Sequence, residues 1–172
     1  MSDVAEAIGK LAKVFTDQPE RARTKNAPAT AKLEDSLTFH VTGPAGENVR
    51  TDMPPPMGGA GSGPNPGWLL RAALASCNAT VIAMRAARLG VKLKTLEVTV
   101  ESDSDNRGLL GLDENVSAGL LGLRTRVKIG AESATPAQLR EMVEWAEAHS
   151  PVGCTIRNAP SATTDIEIVS AG

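Results

Sequence analysis

The sequence predicts an α+β fold. Three observations carry that expectation. A hairpin signature comes first, a long alanine-rich helix follows it, and two further alternating segments then precede a second capped helix. Strand groups separated by helices in this way argue for α+β rather than a βαβ array. No internal repeat is visible. The chain has 172 residues with 41% apolar and 22% charged composition, which suits one soluble domain. A single domain is therefore expected over residues 1–172, with a helical arm over 1–20 and a Pro/Gly-rich loop over 52–67.

Val4, Ile8, Leu11 and Phe15 recur at spacings of four, three and four. They predict a short amphipathic helix, with Ser2 as its cap and Pro19 after its end. Arg21 to Leu33 has no helical period and contains Pro28, which reads as an edge strand. From Ser36 to Thr42, Leu37, Phe39 and Val41 alternate with Ser36, Thr38 and His40. Gly43-Pro44-Ala45-Gly46 is a turn, and Glu47 to Thr51 returns to complete a hairpin.

Asp52 to Gly67 carries Pro54, Pro55, Pro56, Pro64 and Pro66 among five glycines. A loop of this length without secondary structure of its own is uncommon in a compact domain and often has a role. Trp68 to Leu89 follows as a long helix, closed by Gly90. Arg71, Asn78 and Arg85 fall in one narrow stripe, and most of the remaining circumference is apolar or alanine. Such a helix is expected to be buried nearly all round, with a second subunit helping to surround it.

Lys94 to Asp103 alternates Leu96, Val98 and Val100 with polar residues, as Leu121 to Ile129 alternates with Arg124, Arg126 and Lys128. Both read as half-buried strands. Thr135-Pro136-Ala137-Gln138 is a capping box that opens a helix ending near His149. Ser150-Pro151 starts a short helix through Arg157. Ser161 to Val169 is expected to close the chain as a strand, with Ile166 and Ile168 inward.

Composition also excludes function classes. Lys plus Arg number 18 and Asp plus Glu 20, giving a net charge of −2, so the chain lacks the basic face that phosphate backbones require. The aromatic rings are Phe15, Phe39, Trp68 and Trp145, too scattered for a base-stacking platform. Nucleic acid is not an expected partner. The apolar stretch 68–89 is interrupted by Arg71, Arg85 and Arg88, which favours a core helix over a membrane span. The start of the sequence lacks signal-peptide character. A cytoplasmic setting with reduced thiols is expected.

The chemistry-bearing residues are few. Cys77 sits midway along the long helix and Cys154 four residues into the short one. A buried cysteine often only fills space, and a reactive one needs a lowered pKa and access. Two cysteines do not make a disulfide framework. With His40 and His149 they make four potential zinc ligands, but metal-ligand spacing is missing, so no metal is expected. His149 is placed to cap the end of its helix. Asp103, Asp105, Gly108 and Glu114 approximate a calcium loop, but Arg107 stands where an oxygen ligand is wanted. A turn with Arg107 paired to a neighbouring aspartate is the expected reading.

The run Gly63 to Cys77, through Asn65-Pro66, Leu69, Ala72, Ala73, Ala75 and Ser76, resembles the OsmC/Ohr family of osmotically inducible and organic hydroperoxide resistance proteins. Ser150-Pro151-Val152 is similar to that family's Cys-Pro segment, and the order of elements over roughly 36–169 agrees. The resemblance implies an intertwined α+β homodimer, in which two central helices are wrapped by sheets from both subunits. It implies that Cys77 is the peroxidatic cysteine. That thiolate would attack a peroxide oxygen and become sulfenic acid, condense with a second thiol and be restored by a dithiol reductant. No cofactor is implied.

The sequence departs from the family pattern in three places. Ser150 occupies the resolving cysteine's position. Cys154, the remaining candidate resolving thiol, lies one helical turn on, about 6 Å at the rise of an α-helix. Gly67 replaces the glutamate that in the hydroperoxide-resistance branch holds the catalytic arginine, for which Arg21, Arg23 and Arg50 are the candidates. The expected function is thiol-dependent reduction of organic or hydrogen peroxide in oxidative or osmotic stress. The alternative is a non-enzymatic dimer binding an apolar small molecule in its cleft; a third reading is acyl or thiol transfer at Cys77.

Overall fold

The computed structural model describes residues 3–170. Helix α1 spans Asp3–Asp17. It lies against the long helix and carries exposed i,i+4 pairs, Lys10 with Glu6 and Lys13 with Asp17. The Ser2 cap expected for it lies outside the described residues. A 3-10 turn over Pro19–Ala22 follows. The strand expected across Arg21 to Leu33 is confined to its end, as β1, Thr30–Asp35. Pro28, which has no N–H to give to a ladder, stays outside it.

Strands β1, β2 (Thr38–Thr42) and β3 (Asn48–Thr51) form an antiparallel sheet in that order. Phe39 lies opposite Thr51, and Val41 opposite Val49. The predicted turn closes through Gly43 N–H to the Glu47 carbonyl at 3.0 Å. Gly46 adopts φ 92° there, a left-handed backbone that glycine tolerates best.

The Pro/Gly segment is a closed loop wrapped around one carboxylate. Asp52 is 1% exposed. It accepts hydrogen bonds from the backbone N–H groups of Met53 (2.7 Å), Ala60 (3.1 Å) and Ser62 (2.9 Å), and from the Ser62 hydroxyl (2.8 Å). These donors, the Ser62 N–H foremost, lower its pKa from 3.8 to about 2. Two glycines let the loop close. A Cβ on Gly59 would run into the Met53 carbonyl, and one on Gly63 into that of Arg50.

The loop delivers the chain to α2, Pro66–Arg88, whose first turn is capped by Asn65 Oδ1 accepting from Trp68 N–H at 2.8 Å. Its end is a Schellman turn. Gly90, at φ 68°, donates to the Ala87 carbonyl, and Val91 donates to that of Ala86. β4 (Leu93–Ser104) and β5 (Leu120–Ala131) form a long antiparallel ribbon, with Leu96 opposite Ile129 and Val98 opposite Val127. Between them, the short helix α3 (Asn106–Leu109) is capped by Asp105, which also pairs with Arg107 at 2.6 Å. That is the turn expected in place of a calcium loop.

Helix α4, Pro136–His149, opens with the complete Thr135/Gln138 capping box, and α5, Pro151–Arg157, follows directly. The core is small: Leu74, Ile82 and Ala86 of α2 with Met142 and Ala146 of α4. By length and composition α2 could cross a membrane, yet it packs against β4, α1, α4 and α5. Within one chain its buried side is the one carrying Asn78 and Arg85. The opposite side, with Leu70, Ala73, Thr80 and Met84, stays open.

Residues 159–170 correct one expectation. The final strand over Ser161 to Val169 does not form in the single chain. Ile166 and Ile168 are 82% and 91% exposed. Alternation gives a segment two faces, but a strand exists only when its N–H and C=O groups find an edge, and here the tail lies against none.

Candidate functional site

α2 carries Cys77, half-buried, to the junction between α4 and α5. Ser150 occupies that junction, ends α4 and caps α5. Its side chain is fully buried. The Ser150 hydroxyl accepts from Gly153 N–H at 3.2 Å and donates to Cys77 Sγ at 3.2 Å. A hydroxyl has one proton, and here it is aimed at sulfur. Gly153 is buried in the same turn, where a Cβ would stand 3.2 Å from both Ser150 Oγ and Arg157 Nη1.

Cys154 faces elsewhere. Its thiol donates to the Ala148 carbonyl at 3.3 Å and receives a hydrogen bond from Arg157 Nη2 at 3.3 Å. The same nitrogen of Arg157 donates to the Glu147 carbonyl at 2.7 Å. The two sulfurs therefore engage different partners, and both cysteines are free. The cation stands beside Cys154. Arg21 bonds to Gln18, Arg50 pairs with Glu34 at 2.8 Å, and Arg23 is exposed. None of these three arginines reaches Cys77 among the described contacts. Sequence reasoning missed Arg157, although its i,i+3 spacing from Cys154 on one helix was the available signal.

A second set of contacts fixes α4 to α2 behind the site. Arg85 pairs with Glu141 at 2.9 Å and lies 4.8 Å from the centre of the Trp145 ring. His149 stacks on Trp145 at 4.0 Å, and its Nδ1 lies 2.7 Å from the Trp145 carbonyl. It sits at the helix end, as expected. His40 is far off in sequence on the β2–β3 hairpin, against Asn48 Oδ1 at 2.9 Å. Among the described residues no three His, Cys, Asp or Glu side chains cluster as metal ligands do.

A family model described as an OsmC-like protein matches residues 59–165, well over half of the chain. The chain belongs to the OsmC family. That family includes organic hydroperoxide resistance proteins, and solved structures of both kinds share the fold. An organic hydroperoxide resistance protein from Legionella pneumophila is 21% identical with a TM-score of 0.61, over 79% of this chain and 92% of that one. An OsmC-like protein from Mycoplasma pneumoniae is 15% identical with a TM-score of 0.67, over 80% and 91%. An organic hydroperoxide resistance protein from Elizabethkingia anophelis is 20% identical with a TM-score of 0.59, over 80% and 91%. At these identities the likeness is one of fold. Comparison with curated proteins gives no match.

Proposed function

We propose that this OsmC-like protein reduces organic or hydrogen peroxide through Cys77. The observation that carries the reading is the Ser150 hydroxyl donating to Cys77 Sγ at 3.2 Å from a fully buried position. The Cys77 thiolate attacks one peroxide oxygen and the O–O bond breaks. The alkoxide, or hydroxide in the case of hydrogen peroxide, leaves and takes a proton, and the two electrons lost by sulfur reduce the peroxide to an alcohol or to water. Cys77 is left as a sulfenic acid. A thiol then attacks the sulfenic sulfur and displaces water, forming a disulfide. The thiols of a dithiol reductant take over that disulfide and restore Cys77.

Cys154 is the in-chain candidate for the first of those thiols. Arg157 donates to its sulfur, and α5 has to release that sulfur from the Ala148 carbonyl before it can meet Cys77. The active form we infer is a homodimer. The open side of α2 and the unpaired tail are surfaces that a second copy would cover. The setting we infer is cytoplasmic defence against peroxide or osmotic stress, without a bound cofactor.

Steady-state consumption of tert-butyl hydroperoxide with dithiothreitol as the dithiol tests the reading. Turnover should be present in the native protein and absent in Cys77→Ser. Equal turnover in the two, or none in the folded native protein, overturns it.

A further inference from the structure

Arg71 leaves α2 toward β4, whereas Cys77 leaves it toward α5. Arg71 lines a separate cleft of about 460 Å³, between the Pro/Gly loop, the start of α2 and the β4–β5 connection. Met53, Met57, Leu109 and Leu120 contribute its apolar walls. Arg71 is half-buried, and its one described side-chain hydrogen bond goes to a neutral group, from Nη1 to Ser102 Oγ at 3.1 Å. Among the described residues no carboxylate lies within salt-bridge distance of it. Asp105, the acid on the same cleft, is engaged by Arg107 at 2.6 Å.

An arginine so placed keeps N–H donors unfilled in a fork that matches a carboxylate, and walls of low polarity strengthen its pull on an anion. There is also room. Residue 67 is glycine, and a Cβ there would stand 3.8 Å from Arg71 Nη1 and 3.3 Å from Asn65 Oδ1. Glycine at 67 thus leaves no side chain of that residue against the guanidinium.

We propose that this cleft binds a small molecule built of one carboxylate and an apolar body. The carboxylate sits on Arg71 beside Gly67, and the body lies along Met53, Met57, Leu109 and Leu120. Flexible thioethers adapt to apolar shapes of different outline. A single guanidinium balances a single charge, which favours a monocarboxylate over a phosphate dianion. This assignment is independent of the chemistry at Cys77.

Calorimetric titration of the full-length protein with decanoate tests it, with decanol as the uncharged control. Decanoate should bind saturably at one site per chain, and decanol far more weakly. Arg71→Gln should weaken decanoate by about tenfold or more, the loss that accompanies removal of a charge-assisted hydrogen bond. Gly67→Glu should do the same by filling the space with its own carboxylate, while Cys77→Ser should bind nearly as the native protein does. Gly67→Glu serves if Arg71→Gln does not fold. Decanol binding as tightly as decanoate, absence of saturable binding, or native affinity in folded Arg71→Gln or Gly67→Glu overturns the proposal.

Discussion

Ser150 Oγ lies 3.2 Å from Cys77 Sγ, across a sequence separation of 73 residues. A buried hydroxyl at the junction of α4 and α5 is thus in contact with the sulfur. Ser150→Cys should place a second thiol within reach of Cys77. Mild oxidation should then give an intramolecular disulfide between Cys77 and the introduced thiol, read by peptide mass mapping after proteolysis. Failure of that disulfide to form in a folded variant would contradict the contact.

Ser150→Ala removes two hydrogen bonds at once. It takes the donor from Cys77 and the acceptor from the Gly153 N–H. Loss of an N-cap with a buried donor left behind should cost about 1–2 kcal/mol in denaturant unfolding.

Acid should loosen the Asp52 loop. The carboxyl is held at about 2 against an ordinary 3.8, so the folded state binds fewer protons there than the unfolded one. Its contribution is complete above about pH 4, and it is lost as pH falls from 3.8 toward 2. Asp52→Asn should lower thermal stability at neutral pH and flatten the stability–pH curve across that acidic window, as followed by circular dichroism.

The Arg85 clamp separates two effects by size. Its partner Glu141 is largely exposed, so Glu141→Gln should cost less than about 1 kcal/mol. The guanidinium over Trp145 is better shielded, so Arg85→Met should cost about 1–2 kcal/mol. Chemical denaturation of the two variants checks the order, and a larger loss in Glu141→Gln would reverse the assignment.

The open side of α2 predicts assembly. Met84 is exposed on it beside Thr80 and Ala73. Met84→Glu should shift a native dimer toward monomer in sedimentation velocity, whereas the exposed Lys10→Glu on α1 should not. A native protein that sediments as a monomer would contradict the inferred pairing.

Local rules make most of the fold legible. The Thr135/Gln138 capping box, Asn65-Pro66 before α2, Gly90 after it, and the alternation of β4 and β5 each depend on neighbours within a few residues. Two features do not follow from local pattern. Arg71, Asn78 and Arg85 form the polar stripe of α2, yet within the chain that stripe faces inward, because Ser102 and Glu141 come from distant elements to meet the arginines. Ile166 and Ile168 alternate as a strand would, but their own sequence does not supply the edge they need. At the site, Cys77 is visible from the motif around it. The Ser150 contact depends on how α5 turns off α4, which no spacing in the sequence specifies, whereas Arg157 lies i,i+3 from Cys154 on α5 and is open to a reading of spacing.

Intact-mass analysis of the native protein during a stoichiometric peroxide titration, with a sulfenic-acid trap present, tests the central claim most directly. One equivalent of peroxide should place one trap adduct on Cys77, ahead of Cys154. An unmodified Cys77 in folded protein, or an adduct confined to Cys154 where the guanidinium stands, would contradict it.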